Sequence, residues 1–199
     1  RPVSSAASDV YKRQDIEEGL ITKDSTEKYD LSKELRDPSR HIVLSSIEDI
    51  ATIKKRENFS KIFLEYREGQ LNTVILPVRG YGLWGILYGY LAISSDLNTI
   101  VGLEFYEHKE TPGLGAEVDN PKWKALWRGK KIYDENGEIL IKVVKGKVDN
   151  SSDMSTYEVD GLSGATLTSN GVSNLLAYWL SDSGFKKFLN NLKQENING

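Results

Sequence analysis

Residues 160–170 read Asp-Gly-Leu-Ser-Gly-Ala-Thr-Leu-Thr-Ser-Asn, and a helical pattern begins where they end. The run is dense in hydroxyls, at Ser163, Thr166, Thr168 and Ser169, and its small residues Gly164 and Ala165 leave the Thr166 side chain unhindered. The first N–H groups of a helix have no intrahelical partner and form the positive end of its dipole. A bare hydroxyl beside such a start suits a phosphate held against, or carried on, Thr166. On local chemistry alone, the same residues also describe an ordinary turn with a Ser or Thr cap.

Other groupings offer less. Glu110-Thr111-Pro112-Gly113-Leu114-Gly115 contains a Pro-Gly turn signal, and Gly115 lets the backbone approach something flat. Standing alone it reads as a surface loop. Gly80 to Gly85 spells G-x-G-x-x-G, which marks a dinucleotide site only between a strand and a helix. Residues Ile86 to Ile93 carry no helix-start signal, so the glycines are assigned to a bent strand and Trp84, by itself, to the core. His41 and His108 lie far apart without ligand spacing, and the absence of cysteine excludes disulfides, thiolate metal sites and iron–sulfur ligation. The charged stretches 107–110 and 145–153 read as solvated.

The bulk numbers bound the rest. A chain of 199 residues with 39% hydrophobic content suits one domain with its own core. A net charge of −3 with no basic stripe points away from nucleic acid. The longest apolar run, Gly82 to Ile93, is about a dozen residues where a membrane helix needs about 20.

These sites must be positioned by recognisable elements. Lys61–Arg67 and Leu71–Val78 have strand composition and flank the hairpin signal Glu68-Gly69-Gln70. Pro77 makes the second strand an edge or marks its end. Leu83–Ile93 and Thr99–Tyr106 continue the hairpins, which implies an antiparallel sheet. Asn120 and Pro121 open a helix to Trp127, with Gly129 as its stop. Ile132-Tyr133 and Ile139–Val144 read as strands around Asn136-Gly137, and 145–157 as a loop. Val172, Leu175, Leu176, Trp179 and Leu180 lie on one face of a helix capped by Thr168 or Ser169. A shorter helix over about 184–192 turns Phe185, Phe188, Leu189 and Leu192 inward. Ile47–Lys55 has partial helical spacing. The fold class is α+β, an antiparallel β-sheet with helices packed against it.

Four domain segments are expected: a non-native leader at 1–14, a polar linker or helix at 15–46 closing at Asp37-Pro38, a domain at 47–194 and a tail at 195–199. The leader, which lacks an initial Met and any apolar period, resembles translated adapter sequence on a truncated gene.

Asp160-Gly161-Leu162-Ser163-Gly164-Ala165-Thr166 resembles the signature at which a flavin transferase attaches FMN to threonine. Residues 82–89, 105–127, 143–146 and 162–189 look, in order, like the C subunit of the sodium-translocating NADH:quinone reductase, and the likeness runs from about Ile47 to the C-terminus. The G subunit of the Rnf complex shares the threonine signature. The resemblance implies a covalent FMN phosphoester on Thr166, with Asp160 in the transferase signature and Ser163, Gly164, Ala165, Leu167, Thr168 and Ser169 around it. Leu114 would contact the ring face, Thr111, Gly115 and Glu110 would border it, and Trp84 becomes a candidate pocket wall. It implies an electron carrier needing no catalytic acid or base and no metal. Its partners would be the other subunits of the complex and the flavin transferase. Its place would be the bacterial inner membrane, with the domain on the periplasmic side and an N-terminal membrane helix missing from this chain. The alternatives are an Rnf-type ferredoxin:NAD oxidoreductase flavin subunit and an unmodified envelope binding domain.

Overall fold

The computed structural model describes residues 8–22 and 28–198. In chain order come β1 (Ser8–Asp15), β2 (Leu20–Ile21), α1 (Leu31–Arg36), β3 (His41–Val43), β4 (Lys55–Glu57), β5 (Phe59–Arg67), β6 (Gln70–Tyr81), β7 (Ile86–Ser94) and β8 (Ile100–Glu107). Then follow α2 (Pro121–Ala125), β9 (Lys142–Val143), β10 (Glu158–Val159), α3 (Thr166–Trp179) and α4 (Lys186–Asn198). One six-stranded antiparallel sheet runs in the order β2-β1-β5-β6-β7-β8. Helix α3 lies against β6, and α4 adds Phe188, Leu189 and Leu192 to the same core, so the α+β architecture expected from the strand and helix patterns is the one observed.

The consecutive hairpins form for the reasons their turns suggest. Between β5 and β6, Glu68 and Gly69 both take positive φ, 52° and 78°, the backbone of a two-residue hairpin turn. Alternate side chains of β5, β6 and β7 are buried: Ile62 and Leu64, then Val74, Leu76 and Val78, then Leu87, Leu91 and Ile93. The opposite face carries a row of aromatic rings, Tyr11, Phe63, Tyr90 and Tyr106, with successive centroids 4.5, 5.7 and 5.3 Å apart.

Helix α3 carries its predicted apolar face into the core, where Val172, Leu175, Leu176, Trp179 and Leu180 are all fully buried. Each fully buried aliphatic side chain contributes about 1.5–3 kcal/mol. Two glycines set the depth of this packing. A Cβ on Gly171 would lie 2.4 Å from the Tyr81 carbonyl oxygen, and one on Gly80 would lie 2.4 Å from the Leu175 Cβ. The contact is locked by Trp179, whose indole N–H donates to the Arg79 carbonyl at 2.8 Å and whose ring stacks on Phe185. Phe185, Phe188, Leu189 and Leu192 are buried as predicted.

Several expectations are corrected. Residues 47–55 form turns rather than a helix: Thr52 and Lys54 take positive φ and Ile47 is 90% exposed, so only Ala51 of the supposed apolar face is buried. Pro77 neither ends a strand nor lies on an edge strand, for β6 is central and Pro77 pairs with Tyr90 of β7. Pairing of β5 with β6 runs only as far as Phe63 opposite Ile75, so the missing N–H of Pro77 falls where that ladder has already parted. Strand β7 starts at Ile86 rather than Leu83, because residues 82–85 turn, with the Gly82 N–H bonded to the Gly85 carbonyl at 2.8 Å. The sheet also reaches N-terminal of residue 47, where β1 pairs along β5 from Ser8–Tyr66 to Asp15–Phe59. Within 15–46, read as a polar linker or helix, lie β2 and β3 as well as α1, which Asp30 caps and which ends before Asp37-Pro38. Residues 132–144 hold a Tyr133–Ile139 bridge, and β9 pairs in parallel with β10.

Replacing Gly171 by Ala should destabilise the fold by about 1–3 kcal/mol through overpacking, although Ala is the better helix former by about 1 kcal/mol. Urea unfolding of the two proteins measures it, and equal or higher stability of the variant would show that α3 can move off the sheet without loss.

Candidate functional site

Thr166 is the first residue of α3, and Ala165 precedes it as the N-cap with no side-chain cap bond. This corrects the expected cap. Thr168 is buried and donates its hydroxyl to Glu110, while the Ser169 hydroxyl accepts the Leu162 N–H at 3.0 Å. Neither hydroxyl returns to the helix start. The first backbone N–H of the helix to find a backbone acceptor is that of Ser169, which donates to the Ala165 carbonyl at 3.0 Å. The N–H groups of Thr166, Leu167 and Thr168 therefore have no backbone partner among the described residues. A fourteen-residue helix thus ends in free donors beneath an exposed Thr166 hydroxyl.

Two glycine turns frame this hydroxyl. In the first, the Leu114 N–H bonds to the Thr111 carbonyl at 3.0 Å and Gly113 takes φ +74°, the type II pattern that Pro112-Gly113 dictates. In the second, the Ala165 N–H bonds to the Leu162 carbonyl at 3.1 Å and Gly164 takes φ +69°. The turns touch. A Cβ on Gly164 would sit 3.0 Å from Leu114 Cδ2, so glycine serves here both for its backbone angle and for the room it leaves.

Around the turns, large apolar side chains face solvent: Trp84 at 61% exposure, Leu167 at 58% and Leu114 at 43%. The Trp84 indole N–H donates to the Thr111 hydroxyl at 3.0 Å. Trp84 is thus not a core residue. Its exposure has a cause, since the turn at 82–85 lifts it off the sheet. Exposed apolar groups beside unpaired backbone donors match a molecule with a flat apolar ring system and a phosphate, and the slim Gly164 and Ala165 leave the phosphate its space.

Glu110 and Gly115 are buried below this surface. The Glu110 carboxylate accepts the Leu83 N–H at 3.1 Å, the Trp84 N–H at 3.1 Å and the Thr168 hydroxyl. Its own backbone N–H donates to His108 Nδ1 at 3.2 Å, and His108 Nε2 lies 2.7 Å from Asp119. Sequence reasoning placed Glu110 only as a neighbour of the site and missed His108 and Asp119. Eleven positions separate those two, and no periodicity links them.

Asp160 is tied to residues 147–148 and to Trp123. Its carboxylate accepts the Val148 N–H at 2.9 Å and pairs with Lys147 at 2.9 Å, and its carbonyl accepts the Trp123 indole N–H at 2.8 Å. Burial raises the pKa of Asp160, but the Val148 N–H and the Lys147 ammonium together outweigh it and hold the acid below its ordinary range. Ser163, between Asp160 and Thr166, is exposed.

Known proteins give the family of the chain. A family model described as FMN-binding domain matches residues 82–181, which span the Trp84 turn, the Pro112-Gly113 turn and the start of α3. The chain is 55% identical over 166 residues to the C subunit of the Na(+)-translocating NADH-quinone reductase of Pseudomonas aeruginosa, covering 83% of this chain and 64% of that protein. With the protein of the same name from Vibrio alginolyticus it shares 42% over 184 residues, covering 92% and 71%. The chain therefore spans roughly two thirds of the length of these curated relatives. The crystal structure of Shewanella oneidensis NqrC superposes with a TM-score of 0.86 at 35% identity, covering 94% of this chain and 85% of that one. An exposed threonine at a bare helix start, inside a matched flavin-binding segment and on a backbone shared with NqrC, leads to one assignment: this chain belongs to the FMN-binding domain family, among the C subunits of the Na(+)-translocating NADH-quinone reductase.

Proposed function

We propose that this chain carries FMN bonded through its phosphate to Thr166 and relays electrons within a sodium-pumping NADH:quinone reductase. The observation that carries the reading is the start of α3, where three backbone N–H groups without helix partners sit beside an exposed hydroxyl flanked by Gly164 and Ala165. These donors would hold the phosphoryl oxygens, and the helix dipole favours their negative charge. Leu114, Leu167 and Trp84 would cover the apolar ring, with Thr111 and the backbone of Gly115 near its polar edge. The bound group supplies reversible electron uptake at its isoalloxazine ring. Attachment would form a bond from Thr166 Oγ to phosphorus as the phosphoanhydride of an activated flavin dinucleotide breaks; the nucleoside monophosphate leaves, the hydroxyl proton passes to the transferase, and the net addition is FMN less water. A separate flavin transferase would activate the hydroxyl, which accounts for a site with no histidine beside Thr166. A covalent bond also keeps the cofactor in place through every redox state.

Identity to C-subunit relatives over most of the chain favours the sodium-pumping reductase over the Rnf-type complex. Among the described residues no helix is long and apolar enough to cross a membrane. The proposed anchoring, by an N-terminal helix that leaves the domain on the periplasmic side, rests on the family resemblance.

Asp160, held by Lys147 and Val148, is assigned the task of bracing the signature against the 145–148 loop for the transferase.

Three outcomes test the reading. Co-expression with the transferase should yield a fluorescent band that survives denaturation and a mass gain of FMN less water, and Thr166→Ala should abolish both. Unmodified protein, with the transferase active on a control, would refute the assignment. Leu114→Asp should leave attachment intact but alter the flavin absorption spectrum or potential, whereas an unaltered spectrum and potential would remove Leu114 from the ring contact. Asp160→Asn should lower the melting temperature at neutral pH. Because the folded-state pKa of Asp160 is depressed, its contribution is present above the unfolded aspartate value and is lost as pH falls through the folded one. The two melting curves should therefore converge in acid, and a pH-independent difference would argue against the ionic brace.

A further inference from the structure

The Glu110 carboxylate occupies a slot that is built around it. A Cβ on Gly82 would lie 2.7 Å from Glu110 Oε1, and one on Gly115 would lie 2.9 Å from Oε2 and 2.5 Å from the Thr168 hydroxyl. Only glycine at both positions leaves the carboxylate its space. Every group that approaches it is a donor: two consecutive backbone N–H groups, from Leu83 and Trp84, and the Thr168 hydroxyl. A carboxylate offers acceptor sites to all three at once. Among the described residues no cationic side chain forms an ion pair with it. The side chain is 6% exposed, and its polar partners are these hydrogen-bond donors.

Its three contacts come from separate parts of the site. Leu83 and Trp84 belong to the turn that raises the Trp84 indole. Glu110 itself starts the segment that turns at Pro112-Gly113 and sets Leu114. Thr168 is in the first turn of α3, two residues from Thr166. The large apolar side chains of these pieces, Trp84, Leu114 and Leu167, face outward, so the carboxylate is the polar link among them.

We propose that Glu110 is a positioning residue that fastens the Trp84 turn to the first turn of α3 and, through its uncompensated charge, lowers the reduction potential of the flavin carried two residues from its Thr168 partner. The second half rests on the proposed attachment of FMN at Thr166; the first does not. A fixed negative charge disfavours the electron-richer reduced ring, and the buried, low-dielectric setting screens it little.

The test uses the full chain in two forms. In protein expressed without the transferase, hydrogen exchange is read at the Leu83 and Trp84 amides for wild type, Glu110→Gln and Thr168→Val. In protein expressed with the transferase, the flavin midpoint potential is read by spectroelectrochemistry, with mass confirming attachment. Glu110→Gln should speed exchange at both amides by roughly tenfold or more, the scale of a lost charge-assisted hydrogen bond, and should raise the potential. Thr168→Val keeps the charge and removes one tether. It should speed exchange more weakly and leave the potential closer to wild type than Glu110→Gln does. Unchanged exchange in both variants would overturn the fastening role, and if Glu110→Gln does not fold, the Thr168→Val exchange result decides it. Equal potentials in wild type and Glu110→Gln would overturn the electrostatic role. A wild-type chain that never gains flavin would sink the attachment reading and the electrostatic role with it, while the exchange measurement would still decide the fastening.

Discussion

The contact between α3 and β6 is the constraint on which the rest of the molecule depends. Gly171 and Gly80 allow helix and strand backbones to meet where any Cβ would collide, and the Trp179 indole fastens the far end to Arg79. With α3 fixed against a central strand, its first residue has one available position, at the rim of the sheet beside the 82–85 turn. The apolar face of α3 thus does two jobs: it completes the core, and it aims a helix terminus outward. The exposed threonine is the visible end of a buried packing decision.

The helix start also departs from the usual economy of helix ends. A Ser or Thr cap would satisfy one of the free N–H groups and stabilise the helix by about 1 kcal/mol. Here Ala165 holds the cap position, and the nearby hydroxyls are turned to other work, Thr168 toward Glu110 and Ser169 toward Leu162. The donors stay free at some cost in helix stability. A site that must receive an anion gains from that arrangement, because a capped terminus would first have to release its own ligand.

Much of this is legible in the chain. Period 3.6 in Val172 to Leu180 identifies the buried face of α3, and Glu68-Gly69 marks the first hairpin, because both signals depend only on neighbours in sequence. Asn120-Pro121 opens α2 for the same reason. The errors fall where a distant partner overrides the local pattern. Ile47 and Ile50 suggest a helix face, but no apolar surface meets them and the segment turns instead. Pro77 suggests an edge, yet its missing N–H is harmless because the β5 ladder has already parted from β6 at that level. Trp84 suggests core by its type, and a turn of four residues puts it in solvent. Thr168 and Ser169 suggest caps, and their hydroxyls find stronger partners across the fold.

The chain by itself determined the local chemistry: a threonine free of bulk, glycines at the positive-φ positions of the two turns beside it, a helix with one apolar face, and four consecutive strands. These follow from steric limits and from the periodicity of side chains along each element. Only the tertiary structure decided that Leu114 meets Gly164, that Glu110 ties residues 83–84 to residue 168, and that Asp160 is braced by Lys147 and Val148. Such contacts join residues far apart in sequence, and their energies depend on burial and direction, which exist only once the sheet and α3 have closed on each other.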